Sequence, residues 1–245
     1  MDYSDIINQV SPRHPLSLGQ LGDLAQACRV HSGSRVLDLG CYDGTLLNHW
    51  ARQYDLRGTG VDDDEAAIQR AMTLANSLDV WSQLQYVTAD VYEYPQPFHQ
   101  YNVVTWLNSG AGQDLPRWLA VMRSALRDAG GLLVVGETFW RAVPPRRTLA
   151  SRGLEREMLP TLEELTRLFH RHRLDVLDVI FVDESGWDRY YAGQWRAVHA
   201  WLAENDDAES AEAVRAAWRR SQLSYFSFER DYVGWGAFIL AADAS

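Results

Sequence analysis

The feature that most constrains this chain is a regular alternation in its first 140 residues. Short apolar runs, each ending in a polar residue, are separated by stretches with helical spacing. "SRVLDLG", "RGTGVD", "LQYVTAD", "YNVVTWLN" and "LLVVGE" read as strands; "GTLLNHWARQY", "DEAAIQRAMTLANSL" and "LPRWLAVMRSALRDA" read as helices. Alternation at this pitch implies right-handed βαβ units and a parallel sheet. Asp64 and Asp114 are expected to cap the second and third helices, and Gly130-Gly131 to end the third.

The pattern then loosens. Residues 141–159 read as a loop or poorly ordered helix, and Thr161 with Glu164 forms a capping box before "LEELTRLFHRHRL". "DVLDVIFVD" is a sixth strand. Two helices separated by "ENDDAES" follow, and "DYVGWGAFILAA" is the last strand. The expected organisation is one domain over 1–245: an N-terminal helical segment (1–30) covering the site, a core (31–140), a loop and helical cap (141–230), and a final strand (231–245).

Composition limits the function classes. A net charge of −10 argues against a general nucleic-acid binder, which needs a basic face. Two cysteines, Cys28 and Cys41, without metal-type spacing argue against a disulfide scaffold or structural zinc, and no metal is expected. No apolar signal core or membrane-length run is present, so a cytoplasmic protein is expected.

In open parallel sheets, ligands bind beyond the carboxyl ends of the strands. The strand ends here carry Asp38, Asp62, Asp90, Asn108 and Glu137. A dinucleotide fingerprint needs G-x-G-x-x-G. In this turn Gly40 and Gly44 stand four apart with Tyr42 between them, so hydride transfer ranks last.

The run Asp38-x-Gly40-x-Tyr42-x-Gly44, with Asp62 and Asp90 after the next two strands, resembles the class I S-adenosylmethionine-dependent methyltransferases. "GETFW", "GWDRYYAGQW", "DYVGWGAFIL" and, more loosely, "SPRHPLS" resemble a largely uncharacterised subgroup of bacterial small-molecule methyltransferases. The resemblance implies a Rossmann-like α/β fold: a seven-stranded, mostly parallel sheet, an antiparallel last strand, and a helical cap inserted between the last two strands. It also implies S-adenosyl-L-methionine as cofactor, held by Asp38, Gly40, Cys41, Tyr42, Gly44, Asp62 (ribose), Asp63, Asp90 with Val91 (adenine), and Asn108. Two positions depart from the family pattern. Tyr42 replaces a glycine and is expected to keep an ordinary φ, with its ring near the methionine end or out over the turn. Asp63 stands where an apolar residue usually packs on adenine.

The implied reaction is direct displacement at a methyl on sulfur, with a base required for some acceptors. Glu137, His14 and Asn108 are the catalytic candidates; Glu137 could instead bond the 141–159 loop, and His14 could be structural. Glu137, Trp140, Trp187, Tyr190 and Gln194 are candidates for substrate contact. Trp187, Tyr191, Trp195, Val198 and Leu202 share a helical stripe and read first as cap core. Arg141, Arg146, Arg147 and Arg152 read first as a solvated loop. Cys41 reads as a packing residue. Three functions stay open: methyl transfer to a small molecule, cleavage or cyclisation of the cofactor, and non-catalytic binding on a relic fold.

Overall fold

The computed structural model describes residues 1–94, 99–107, 114–127, 130–206 and 209–242. Helices α1 (Tyr3–Ile7) and α2 (Leu18–Ala27) precede strand β1 (Arg35–Leu39). The core continues with α3 (Thr45–Tyr54), β2 (Arg57–Asp62), α4 (Glu65–Ser77), β3 (Leu84–Thr88), β4 (Val103–Trp106), α5 (Leu115–Ala125) and β5 (Leu132–Trp140). Next come α6 (Arg146–Ser151), α7 (Leu162–Arg171) and β6 (Leu174–Phe181). The cap helices α8 (Glu184–Glu204) and α9 (Ala211–Ser224) lead through a π-helical turn to β7 (Val233–Ala242).

The described residues form one seven-stranded sheet of order β3-β2-β1-β4-β5-β7-β6. The first five strands pair in parallel, and β7 runs antiparallel between β5 and β6. The strand order reverses between β1 and β4, which opens a crevice at their carboxyl ends. This is the expected fold class, with the helical cap inserted between β6 and β7.

Both faces of the sheet are covered, so the central strands are apolar on both sides. Val36, Val103, Val134 and Ile239 pack on one face with Trp50 and Trp235. Leu37, Val104, Leu133 and Leu240 pack on the other with Leu119, Met122 and Phe169. Trp50 is fully buried, and its indole N–H donates to the Leu21 carbonyl at 2.8 Å, tying α3 to α2. Helix α1 docks on the cap, where Ile6 packs with Val198, Leu202 and Val214.

The local signals mostly hold. The Asp64 carboxylate accepts the N–H groups of Ala66 and Ala67, and Thr161 with Glu164 closes a capping box. Asp114 stands at the start of α5 with helical dihedrals and makes no side-chain cap. Helix α5 stops at Ala125, short of the expected glycines, because Leu126 turns extended and bridges Tyr101. Within 141–159, expected as a loop or poorly ordered helix, α6 and a 3-10 turn at Arg156–Met158 form.

Gly136 lets β5 lie close to the end of β4. A Cβ there would stand 2.4 Å from the Trp235 ring and 2.9 Å from the Leu107 Cα. The backbone contact cannot be relieved by a rotamer change. Gly136→Ala is expected to lower stability by about 1–3 kcal/mol, the usual cost of overpacking, measured as a lower urea midpoint at unchanged m-value.

Candidate functional site

The turn after β1 builds the floor of the site. Gly40 and Gly44 have φ of 66° and 69°. A Cβ on Gly44 would fall 2.3 Å from the Tyr86 hydroxyl, so position 44 is closed to other residues by both conformation and space. Tyr42 has φ of 50°, which corrects the expectation of an ordinary φ. The left-handed conformation accompanies a bond from its backbone N–H to Asp62 Oδ2 at 2.8 Å. Such a conformation costs a non-glycine residue about 1–2 kcal/mol. The Tyr42 side chain makes offsetting contacts. Its ring is buried, the guanidiniums of Arg13 and Arg70 each lie 5.0 Å from the ring centre, and its hydroxyl donates to the Asn8 carbonyl. Each cation–π contact contributes about 0.5–2 kcal/mol, which suffices to hold the strained backbone.

Asp62 ends β2. Its Oδ1 accepts the Asp64 N–H at 3.0 Å while Oδ2 accepts from Tyr42, so the carboxylate is fixed and each oxygen keeps a free lone pair. Asp38 ends β1 in a fully enclosed position, where Thr105 Oγ1 donates to it at 2.6 Å. Burial pushes the Asp38 carboxyl up to about 7; the Thr105 bond opposes this, and the charges of Asp62 and Asp43 add to it. Burial raises Asp62 as well, against its two backbone N–H bonds. Asp43 is also buried and accepts from Ser11 Oγ and from Thr45 Oγ1. Three carboxylates thus converge where water is scarce, an arrangement that favours a bound cation.

A groove of about 370 Å³ runs outward from this turn. It is lined by the acids Asp62, Asp63, Asp64 and Asp90, by Val91, Tyr92, Trp106 and Trp118, and by Tyr42 with Arg13 over its ring. Asp90 accepts the Tyr92 N–H at 2.7 Å. Trp106 and Trp118 stack at 4.3 Å, with Tyr92 4.4 Å from Trp118. This aromatic wall supplies the apolar surface that Asp63, which is exposed, does not. Arg13 and the two tryptophans escaped the sequence reading: they come from three separate elements, and Trp118 also fits the apolar stripe of α5.

Inward, the groove narrows to a crevice of about 20 Å³ lined by Pro12, His14, Asp38, Leu46 and Leu107. His14 is buried, and neither ring nitrogen has a hydrogen-bond partner among the described residues. Burial pulls its imidazole down to about 4, partly opposed by Asp43, so the ring is neutral near pH 7. Cys41 is buried, and burial beside Asp38 raises its thiol well above the ordinary range, so it stays protonated.

The other expected residues sit apart. Glu137 is buried on the face of β5 shared with Val135 and Phe139, whereas Leu107 belongs to the other face. Its Oε1 accepts the Thr138 N–H at 3.0 Å, its Oε2 has no partner, and burial pushes it up to about 7. Glu137 lines neither the groove nor the crevice. Trp140 is buried against Leu149 and Phe228 and donates to the Arg156 carbonyl at 2.8 Å. Trp187 packs beside Tyr190 and Tyr191 with its indole N–H unpartnered. The Tyr190 hydroxyl lies 3.5 Å from the Arg13 carbonyl, and Gln194 bonds the Tyr190 side chain. Asn108 lies outside the described residues.

Comparison with known proteins agrees with this geometry. A family model described as a methyltransferase domain matches residues 36–130. A S-adenosylmethionine-dependent methyltransferase from Geobacter sulfurreducens, crystallised with S-adenosyl-L-homocysteine, superposes with a TM-score of 0.87 at 32% identity, covering 97% of this chain and 96% of that one. The uncharacterized protein YjhP of Escherichia coli (strain K12) is 30% identical over 94% of this chain and 93% of its own length. The 27-O-demethylrifamycin SV methyltransferase of Amycolatopsis mediterranei (strain S699) is 30% identical over 46% of this chain and 42% of its own.

A cation beside Asp38 favours its ionised form, so binding S-adenosylmethionine is expected to release a proton below about pH 7. Affinity should rise with pH by up to about tenfold per unit and level off above 7. Without ligand the sign is opposite for stability. The folded form keeps the Asp38 proton that the unfolded chain loses above its ordinary value of 3.8, so this group's contribution falls as pH rises from there to about 7. Calorimetry at pH 6 in buffers of different ionisation enthalpy should show the released proton, and Asp38→Asn should lose most of it.

Proposed function

Since the chain belongs to the class I S-adenosylmethionine-dependent methyltransferases, we propose that it methylates a small-molecule acceptor by direct in-line displacement, with His14 facing the acceptor. The observation that carries this reading is the neutral imidazole of His14, which has no hydrogen-bond partner among the described residues and lines the small crevice beside Asp38. The acidic groove and a net charge of −10 argue against a nucleic-acid acceptor. The rifamycin methyltransferase, similar over 46% of this chain, is named for a small-molecule substrate, 27-O-demethylrifamycin SV.

In this reading the residues divide the work. Asp62, with one free lone pair on each fixed oxygen, takes the ribose hydroxyls. Asp90 and the wall of Val91, Trp106 and Trp118 take the adenine. Asp38 and Asp43 face the cationic methionine end. The cofactor, when bound, supplies an electrophilic methyl group on sulfur. The protein must then exclude water and hold a nucleophile within about 3–3.5 Å of that carbon. Leu46, Leu107 and Pro12 keep the crevice dry, and His14 accepts the acceptor's proton or a hydrogen bond from it. Trp187, Tyr190 and Gln194 on α8 form the substrate side of the cap. Glu137, on the other face of β5 and lining neither cavity, takes no part in this reading.

Incubation of small-molecule extracts with methyl-labelled S-adenosylmethionine should give labelled product and S-adenosylhomocysteine in equal amounts. Methylthioadenosine without methylated product would overturn the reading. His14→Ala should lower kcat by about 10²-fold or more, the usual weight of a positioned base. S-adenosylhomocysteine affinity should stay within about threefold, because His14 faces the acceptor in this reading.

A further inference from the structure

The N-terminal segment reaches the site by a path that converges on one side chain. Its first helix is anchored in the cap through Ile6, packed with Val198 and Val214. It then crosses to the turn after β1, where the Tyr42 hydroxyl donates to the Asn8 carbonyl. Arg13 Nη1 returns to Asn8, donating to its Oδ1 at 2.7 Å and its carbonyl at 3.2 Å, and the same guanidinium lies over the Tyr42 ring. Ser11 adds a tether to Asp43. Beyond Pro12, Arg13 lines both groove and crevice, and His14 lines the crevice.

We propose that Tyr42 is a positioning residue that fastens the N-terminal segment across the cofactor groove and thereby places Arg13 and His14. A glycine in this turn would adopt φ of 50° without cost but would offer no ring for Arg13 and no donor for Asn8. The tyrosine keeps the backbone that turns its N–H to Asp62 and adds a buried platform on the segment side. The two roles meet in one residue, so holding the ribose carboxylate and closing the segment are mechanically linked. Cofactor exchange then requires the segment to lift from the ring, because Arg13 lines the groove while it lies over Tyr42. The inference concerns cofactor exchange and does not depend on the identity of the acceptor.

The test uses the full-length protein with S-adenosylhomocysteine bound. Its dissociation is followed by Trp fluorescence, which Trp106 and Trp118 in the groove should report, and trypsin cleavage after Arg13 reports the segment. Tyr42→Gly should raise both the dissociation rate and the cleavage rate by about tenfold or more, since such contacts act mainly on release. Tyr42→Phe retains the platform and loses only the hydroxyl, so it should restore most of both. Wild-type release and protection in Tyr42→Gly would overturn the proposal, as would a Tyr42→Phe variant as fast as Tyr42→Gly. If the glycine variant does not fold, Arg13→Met removes the guanidinium without altering the turn. It should speed release in the same direction, and an unchanged rate would overturn the proposal.

Discussion

The structure depends on a concentration of negative charge that it cannot neutralise from within. Asp38, Asp43 and Asp62 meet at the carboxyl edge of the sheet, where burial denies them water. Like charges in low dielectric repel strongly, and one way to lower the energy is to keep a proton. The Asp38 carboxyl is raised in the free protein, mainly by burial, with the charges of Asp62 and Asp43 adding to it. A cation bound beside these carboxylates would provide another way. The hydrogen bonds from Thr105, Thr45, Tyr42 and Asp64 hold the acids in place without cancelling their charge.

The same edge explains why the site is assembled from so many elements. A parallel sheet delivers the end of every strand to one side, and the reversal between β1 and β4 leaves space there. Asp38, Asp62 and Asp90 arrive because each terminates or closely follows a strand. The roof cannot come from the sheet, so it comes from the chain before β1 and the insertion after β6. Helix α1 joins the two by packing on α8 and α9. The roof is therefore one connected body, with the Tyr190 hydroxyl of α8 at the Arg13 carbonyl, and it meets the floor where Arg13 lies over the Tyr42 ring.

What the residues revealed in advance follows from what is local. The strand-end acids, the capping pairs at Asp64 and Thr161, and the cap stripe from Trp187 to Leu202 are patterns within one element, and periodicity exposes them. The two-glycine turn was legible for the same reason. The aromatic wall was not, because Trp106 and Trp118 meet only after β4 and α5 pack. Arg13 was hidden for the opposite reason: it belongs to an irregular segment with no period to read. The separation of Glu137 from His14 is also a tertiary fact. Both lie near the top of the sheet, but alternation along β5 sends Glu137 to the face opposite Leu107.

Tyr42 shows why local rules fail most at functional positions. Taken alone, a tyrosine should avoid positive φ, and that rule predicts an ordinary turn. The rule counts only the residue's own backbone cost. It omits Arg13 at 5.0 Å from the ring, Arg70 at the same distance, and the Asn8 carbonyl, none adjacent in sequence. Contacts of this kind, each of about a kilocalorie, together exceed the strain. A residue whose conformation looks wrong in isolation therefore marks the place where distant segments were brought together, and here that place is the junction between the floor of the cofactor groove and its roof.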